Sequence, residues 1–193
     1  MSDRGPDLVA TASETVGPFF HFGLATDAAL GCVADPSVSG EHITLAFRVT
    51  DGDGVPVPDA LLEIWQMDAE GAPAPPPASA GQPAAFRGFG RLATAGDGTC
   101  EFQTVRPGRA SGGHADPQAP HINICLFARG LLRQVHTRIY FPGESGLDDD
   151  AVLALVPAGR RQTLMARQDP ATTGRWMFDV RLQGEHETVF FDV

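Results

Sequence analysis

The chain has 193 residues, 42% of them hydrophobic and 20% charged, with a formal net charge of −10. That length fits one domain, 1–193, with a sizeable core, and leaves little room for a second. The charge lacks the basic footprint of a nucleic-acid binder, and no apolar run approaches the roughly 20 residues of a membrane span.

Three widely spaced cysteines, Cys32, Cys100 and Cys125, do not suit a disulfide framework. The opening MSDRGPDLVATASE has no apolar segment of a secretory leader, so a reducing cytoplasm is the expected location. All 14 Lys-or-Arg residues are arginine, which excludes Schiff-base lysine chemistry. The simpler source of that bias is genomic composition. The chain has 12 phenylalanines and one tyrosine, Tyr140; a mechanism needing two tyrosines from this chain is excluded by inspection.

In chain order, SETVGPFFHFG (13–23) comes first, apolar and punctuated by Gly17–Pro18. Phe19, Phe20 and Phe22 cannot all stay wet in a well-behaved monomer, so they cover either the chain's own fold or a partner. HITLAFRVT (42–50) alternates and ends at the turn DGDG. ALLEIWQM (60–67) reads as the next strand. GRLAT (90–94) and TCEFQTV (99–105) flank AGDG, a hairpin-like turn. HINICLFAR (121–129) and QVHTRIYF (134–141) follow. Asp148, Asp149 and Asp150 favour a helix start at AVLALV, limited by Pro157, and a second short helix is expected at 160–168. RWMFDVRLQ (175–183) and ETVFFDV (187–193) are the closing strands. The pattern predicts an all-β fold, mainly an antiparallel β-sandwich with long loops and one or two short helices. The long loops are 71–85, rich in Pro and Ala, and 106–120, rich in Gly and Pro; either covers a sheet edge or carries function.

Alternation along 121–129 puts Ile122, Ile124, Leu126 and Ala128 on the core face and His121, Asn123, Cys125, Phe127 and Arg129 on the other. Phe127 and Cys125 argue that this second face is also covered. Arg129 then needs an anion, supplied either by an internal carboxylate or by an anionic ligand held bidentately. His114, Asp116, His121 and His136 are conceivable metal ligands, but none has signature spacing, and a structural role for a lone strand histidine is the commoner outcome. The cysteines have no basic neighbour to activate them.

The segments TVGPFFH (15–21), DALLEIWQMDAEG (59–71), GFGRLAT (88–94), RPG (106–108), APHINICLFARG (119–130), HTRIYF (136–141) and GEHETVFFD (184–192) resemble the intradiol ring-cleavage dioxygenases. The resemblance implies a β-sandwich and a non-haem iron(III) held by two tyrosinates and two histidines, with a His-x-His pair where this chain has His121 and Asn123. Neither tyrosine position is filled here. The expectation is therefore that this chain binds no metal. Fe(III) would be held by a homologous beta subunit, and this chain would be the alpha-type partner in a hetero-oligomer that cleaves protocatechuate with O2 to 3-carboxy-cis,cis-muconate. By the same resemblance Arg129 reaches the substrate carboxylate. Thr15, Gly17, Pro18 and Phe19, in an N-terminal arm (1–40) packed on the partner subunit, line the substrate pocket. Phe19 lacks the hydroxyl of the tyrosine common there in the family. The alternatives are a non-enzymatic β-sandwich binding module, with Arg129 tied to an internal acid, and a self-sufficient metalloenzyme built on His114, His121 and His136.

Overall fold

The computed structural model describes residues 9–76, 84–110 and 118–192. Among the described residues eight strands form two four-stranded sheets. They are β1 (His42–Thr50), β2 (Leu61–Gln66), β3 (Phe89–Ala93), β4 (Thr99–Val105), β5 (His121–Phe127), β6 (Val135–Tyr140), β7 (Arg167–Gln168) and β8 (Arg175–Arg181). One sheet has the order β4-β1-β8-β7, the other β3-β2-β5-β6. All pairs are antiparallel except β1 with β8. The all-β sandwich predicted from alternation is thus the fold, with one parallel contact joining the first strand to the last.

The core lies between the sheets because each strand presents every second side chain inward. Leu45, Phe47 and Val49 of β1 are buried, as are Leu62 and Ile64 of β2, and Ile122, Ile124 and Leu126 of β5. Phe47 meets Phe102 and Phe178 edge-on, with ring centroids 5.6 and 6.1 Å apart, a favourable geometry for aromatic quadrupoles. Two buried polar side chains also bridge the sheets: Thr104 Oγ1 donates to Gln66 Oε1 at 2.8 Å, and Gln66 Nε2 donates to the Val105 carbonyl at 2.8 Å. The AGDG turn needs glycine at its last position. Gly98 has φ +76°, and a Cβ there would sit 2.6 Å from the Val49 carbonyl oxygen.

Three elements differ from the sequence reading. The segment 187–192 is not a ladder strand; its pairing there is one isolated bridge, His136 with Phe191. Side-chain hydroxyls take the backbone groups a ladder would use: Thr137 Oγ1 donates to the Val189 carbonyl at 2.7 Å, and Thr163 Oγ1 accepts from Val189 N at 3.2 Å. The expected helix at 160–168 is instead a 3-10 turn, Ala158–Leu164, followed by β7. The N-terminal arm contains a short helix that alternation did not show, α1 (Phe20–Leu24), and a 3-10 turn, Ala28–Gly31. The helix expected after the three aspartates is present as α2 (Ala151–Ala154), capped by Asp150. No helix among the described residues is long and apolar enough to cross a membrane.

Candidate functional site

The outer face of the β3-β2-β5-β6 sheet carries the residues singled out above, and the strand registers put them in rows. Trp65, Asn123 and Arg138 lie side by side, next to Phe89. One row on are Arg91, Glu63, Cys125 and His136. The β2–β5 pairing of Leu61 with Phe127, continued two residues outward, faces Asp59 with Arg129.

At that end Arg129 is 50% exposed, and its guanidinium lies 3.5 Å from Asp59 Oδ2. It is therefore not sealed in a covered face, and the internal carboxylate is present. The half-exposed setting follows from position, since Arg129 stands two residues beyond the last ladder residue of β5. Asp59 has φ 62°, a left-handed conformation uncommon for a residue with a side chain. His21 Nε2 is 3.8 Å from the other Asp59 oxygen. The arm reaches the same end: Gly130 N donates to Thr15 Oγ1 at 2.8 Å. Gly17 accepts a bond from Phe20 N at 3.1 Å as the chain enters α1. Pro18 and Phe19 are exposed. Phe20 packs on Phe127 with centroids 5.3 Å apart. Phe19 and Phe22 stack on each other at 5.8 Å and remain 75% and 61% exposed. The structure thus bonds Thr15 to Gly130, next in sequence to Arg129, and puts Gly17, Pro18 and Phe19 on the same arm; the arm covers its own sheet with Phe20 and offers Phe19 and Phe22 outward. Glu63, buried on β2, takes Arg91 at 2.5 Å, and Arg91 reaches back to the Leu24 carbonyl at 3.5 Å, pinning the arm.

The other end of the face holds His121, whose Nδ1 donates to the Ala119 carbonyl at 2.8 Å. A carbonyl only accepts, so Nδ1 carries the proton and Nε2 is the unprotonated nitrogen. Burial, then the charge of Arg138, pushes the His121 pKa below 6.5. Between that lowered value and 6.5 the unfolded chain binds a proton that the folded chain refuses, so stability is full above 6.5 and falls as pH drops through this window. His121→Gln is expected to lessen the loss of urea stability between about pH 7.5 and about pH 5; an unchanged pH dependence would contradict it.

The single tyrosine is committed to the scaffold. Tyr140 is fully buried, and its hydroxyl donates to Asp150 Oδ1 at 3.1 Å. Burial raises its pKa to about 12. Among the described residues no three of His, Cys, Asp or Glu converge as a metal group; His114 and Asp116 lie outside them. A ferric centre with two tyrosinates does not fit this donor set. Two of the three thiols are also unsuited to chemistry. Burial raises Cys100 to about 12 and Cys125 to about 11. At about pH 8 an aromatic disulfide reagent is expected to label only Cys32 rapidly in the native chain, and all three thiols in denaturant, because the thiolate is the reacting species.

The residues that sequence reasoning missed are Asp59, His21, Glu63, Arg91, Arg87 and Arg138. Glu63, Arg91 and Arg138 owe their places to strand register, which alternation alone does not supply, and Asp59, His21 and Arg87 sit on segments outside the strands.

A family model described as "Dioxygenase" matches residues 15–184. The chain belongs to the intradiol dioxygenase family, and it is an oxidoreductase subunit of that class. Within the family it is 44% identical over 202 residues to the protocatechuate 3,4-dioxygenase alpha chain of Burkholderia cepacia, covering 96% of this chain and 98% of that one. It is also 31% identical over 193 residues to the beta chain from the same organism, covering 91% of this chain and 77% of that one. Among solved structures, the dioxygenase domain of a dioxygenase–carbohydrate-binding fusion from Streptomyces sp. SirexAA-E superposes with a TM-score of 0.61 at 26% identity, over 80% of this chain and 87% of that one.

Proposed function

We propose that this chain is the iron-free alpha subunit of a heteromeric protocatechuate 3,4-dioxygenase. It would lend Arg129 and its N-terminal arm to a substrate pocket whose Fe(III) is held by a homologous beta subunit. The observation that carries this reading is the state of Tyr140: the chain's one phenol is buried and bonded to Asp150. A tyrosinate iron site is therefore beyond its means, although its sandwich is that of the family. The likeness to both an alpha and a beta chain supports the pairing.

In this role the chain binds and orients. The Asp59–Arg129 contact joins partly exposed groups, and such pairs contribute about 0–1 kcal/mol. A substrate carboxylate in a site closed by the partner can replace Asp59 and take the guanidinium bidentately. Thr15, bonded to Gly130, holds the arm at that end so that Gly17, Pro18 and Phe19 form a wall, and the exposed Phe19–Phe22 pair supplies apolar surface for the partner. The test is to purify the chain alone and together with the beta chain, then measure iron and the visible tyrosinate-to-iron band. Iron and colour are expected in the pair and absent from the lone chain. A stoichiometric coloured iron complex of the lone chain would overturn the assignment.

The Asp59 contact also supports a second role for Arg129, in which the side chain merely ties one loop to its neighbour and touches no substrate. On that reading an alpha–beta pair would turn over equally well without the Arg129 side chain.

A further inference from the structure

Resting on the Arg129 role given above, we propose that Asp59 is a specificity-determining residue. Its carboxylate is a resident counter-ion that occupies the Arg129 guanidinium until a substrate carboxylate displaces it. For a catechol that brings no carboxylate, Asp59 stays in place and keeps the guanidinium paired.

The backbone at Asp59 is the first observation. With φ 62°, Asp59 is one of two non-glycine residues of positive φ among the described residues; the other is His186. Glycine is the default in that conformation, and a side chain persists there where its surroundings hold it. Thr94, 4% exposed, does the holding. Asp59 N donates to the Thr94 carbonyl at 3.2 Å. Thr94 Oγ1 donates to the Val57 carbonyl at 2.8 Å and accepts from Ala60 N at 3.0 Å. The loop is thus clamped on both sides of Asp59, and its carboxylate is presented at a fixed place between the end of β5 and the arm.

The contacts of that carboxylate are the second observation. Its two oxygens lie 3.5 Å from Arg129 Nη2 and 3.8 Å from His21 Nε2. Both distances exceed the roughly 2.7–2.9 Å of a charge-assisted hydrogen bond. On the same sheet face Glu63 holds Arg91 at 2.5 Å. Arg91 is therefore committed to its own carboxylate, whereas Arg129 is only neutralised by Asp59. A substrate carboxylate that meets the guanidinium fork with two parallel bonds outcompetes one long contact. The displaced Asp59 still has His21 of the arm beside it. Without Asp59, a substrate lacking the carboxylate would leave the guanidinium unpaired in a site closed by the partner, which is costly. Asp59 therefore weakens binding of the carboxylated substrate slightly and spares the uncarboxylated one that penalty, so it narrows the preference between them.

Steady-state kinetics of the alpha–beta complex with protocatechuate and with catechol read this exchange. Asp59→Asn removes the charge and keeps a residue that tolerates the left-handed backbone; Asp59→Gly removes the side chain and tolerates it as well. Both variants are expected to lower the KM for protocatechuate about two- to fivefold, the reach of a partly exposed ion pair. The effect should fall on KM rather than kcat, as for uniform binding. The kcat/KM for catechol should fall, so the preference for protocatechuate rises. In an Arg129→Ala background, Asp59→Asn should leave that preference unchanged. An unchanged preference in both single variants, a raised KM for protocatechuate, or a shift that persists without Arg129 would each overturn the proposal. The Arg129 role is read separately: a tenfold loss with Arg129→Ala beside wild-type kinetics for Asp59→Asn removes the counter-ion alone, and no loss with Arg129→Ala removes both.

Discussion

Asp150→Ala is expected to cost about 3–5 kcal/mol of folding stability, because several buried donors lose their acceptor at about 1–3 kcal/mol each. Asp150 is 1% exposed, and its carboxylate accepts three bonds from three parts of the chain. Ala119 N donates at 2.7 Å, just before β5; Leu153 N donates at 2.7 Å, in the first turn of α2; Tyr140 OH donates at 3.1 Å, at the end of β6. Truncation leaves three buried donors with no acceptor, each worth about 1–3 kcal/mol when unpaired, less whatever water can enter the space. For a domain of this size the melting temperature should fall by about 10 °C, at about 2–4 °C per kcal/mol. Urea unfolding with the slope held equal is the direct measurement. Tyr140→Phe removes one of the three donors and should cost only about 1 kcal/mol. A wild-type urea midpoint for Asp150→Ala would show that the carboxylate is not the tie described here.

In the alpha–beta complex, Arg129→Ala is expected to lower kcat/KM for protocatechuate at least tenfold. A charged hydrogen bond to a carboxylate contributes about 1.5–3 kcal/mol, and 1.4 kcal/mol is a factor of ten. Stability should hardly change, because Arg129 is half exposed and its contact with Asp59 is long. Catechol, without the carboxylate, should lose little between the wild-type and variant complexes, and this separates a carboxylate contact from a general disturbance of the pocket. Equal protocatechuate kinetics in the two complexes would instead favour the loop-tying role of Arg129.

Much of the scaffold was legible because its strands are amphipathic. β1 and β4 have the bounds that alternation predicts, and the core face of β5 carries Ile122, Ile124 and Leu126 as read. The ETVFFDV segment misled because its composition is that of a strand, while Thr137 and Thr163 satisfy its backbone from the side. Helix α1 was hidden because five residues punctuated by glycine show no helical period. At the candidate site Arg129 and Thr15 were named from the resemblance, and the structure bonds Thr15 to Gly130, the residue after Arg129. Asp59, Arg87 and Arg138 were not named, for each meets partners far away in the chain: Arg129, Ala29 and Gln118.

The sequence by itself determined which donor side chains this protein lacks. One tyrosine cannot supply two tyrosinates, and an asparagine at 123 leaves His121 without its expected pair, whatever the fold. Only the tertiary structure decided what the remaining groups do. The β2–β5 register sets Asp59 across from Arg129, the β5–β6 register sets Arg138 beside Asn123, and the turn before α2 brings Asp150 under Tyr140. Composition is a count and survives any folding. Register is a choice among pairings of distant segments, settled by how all the apolar faces bury together.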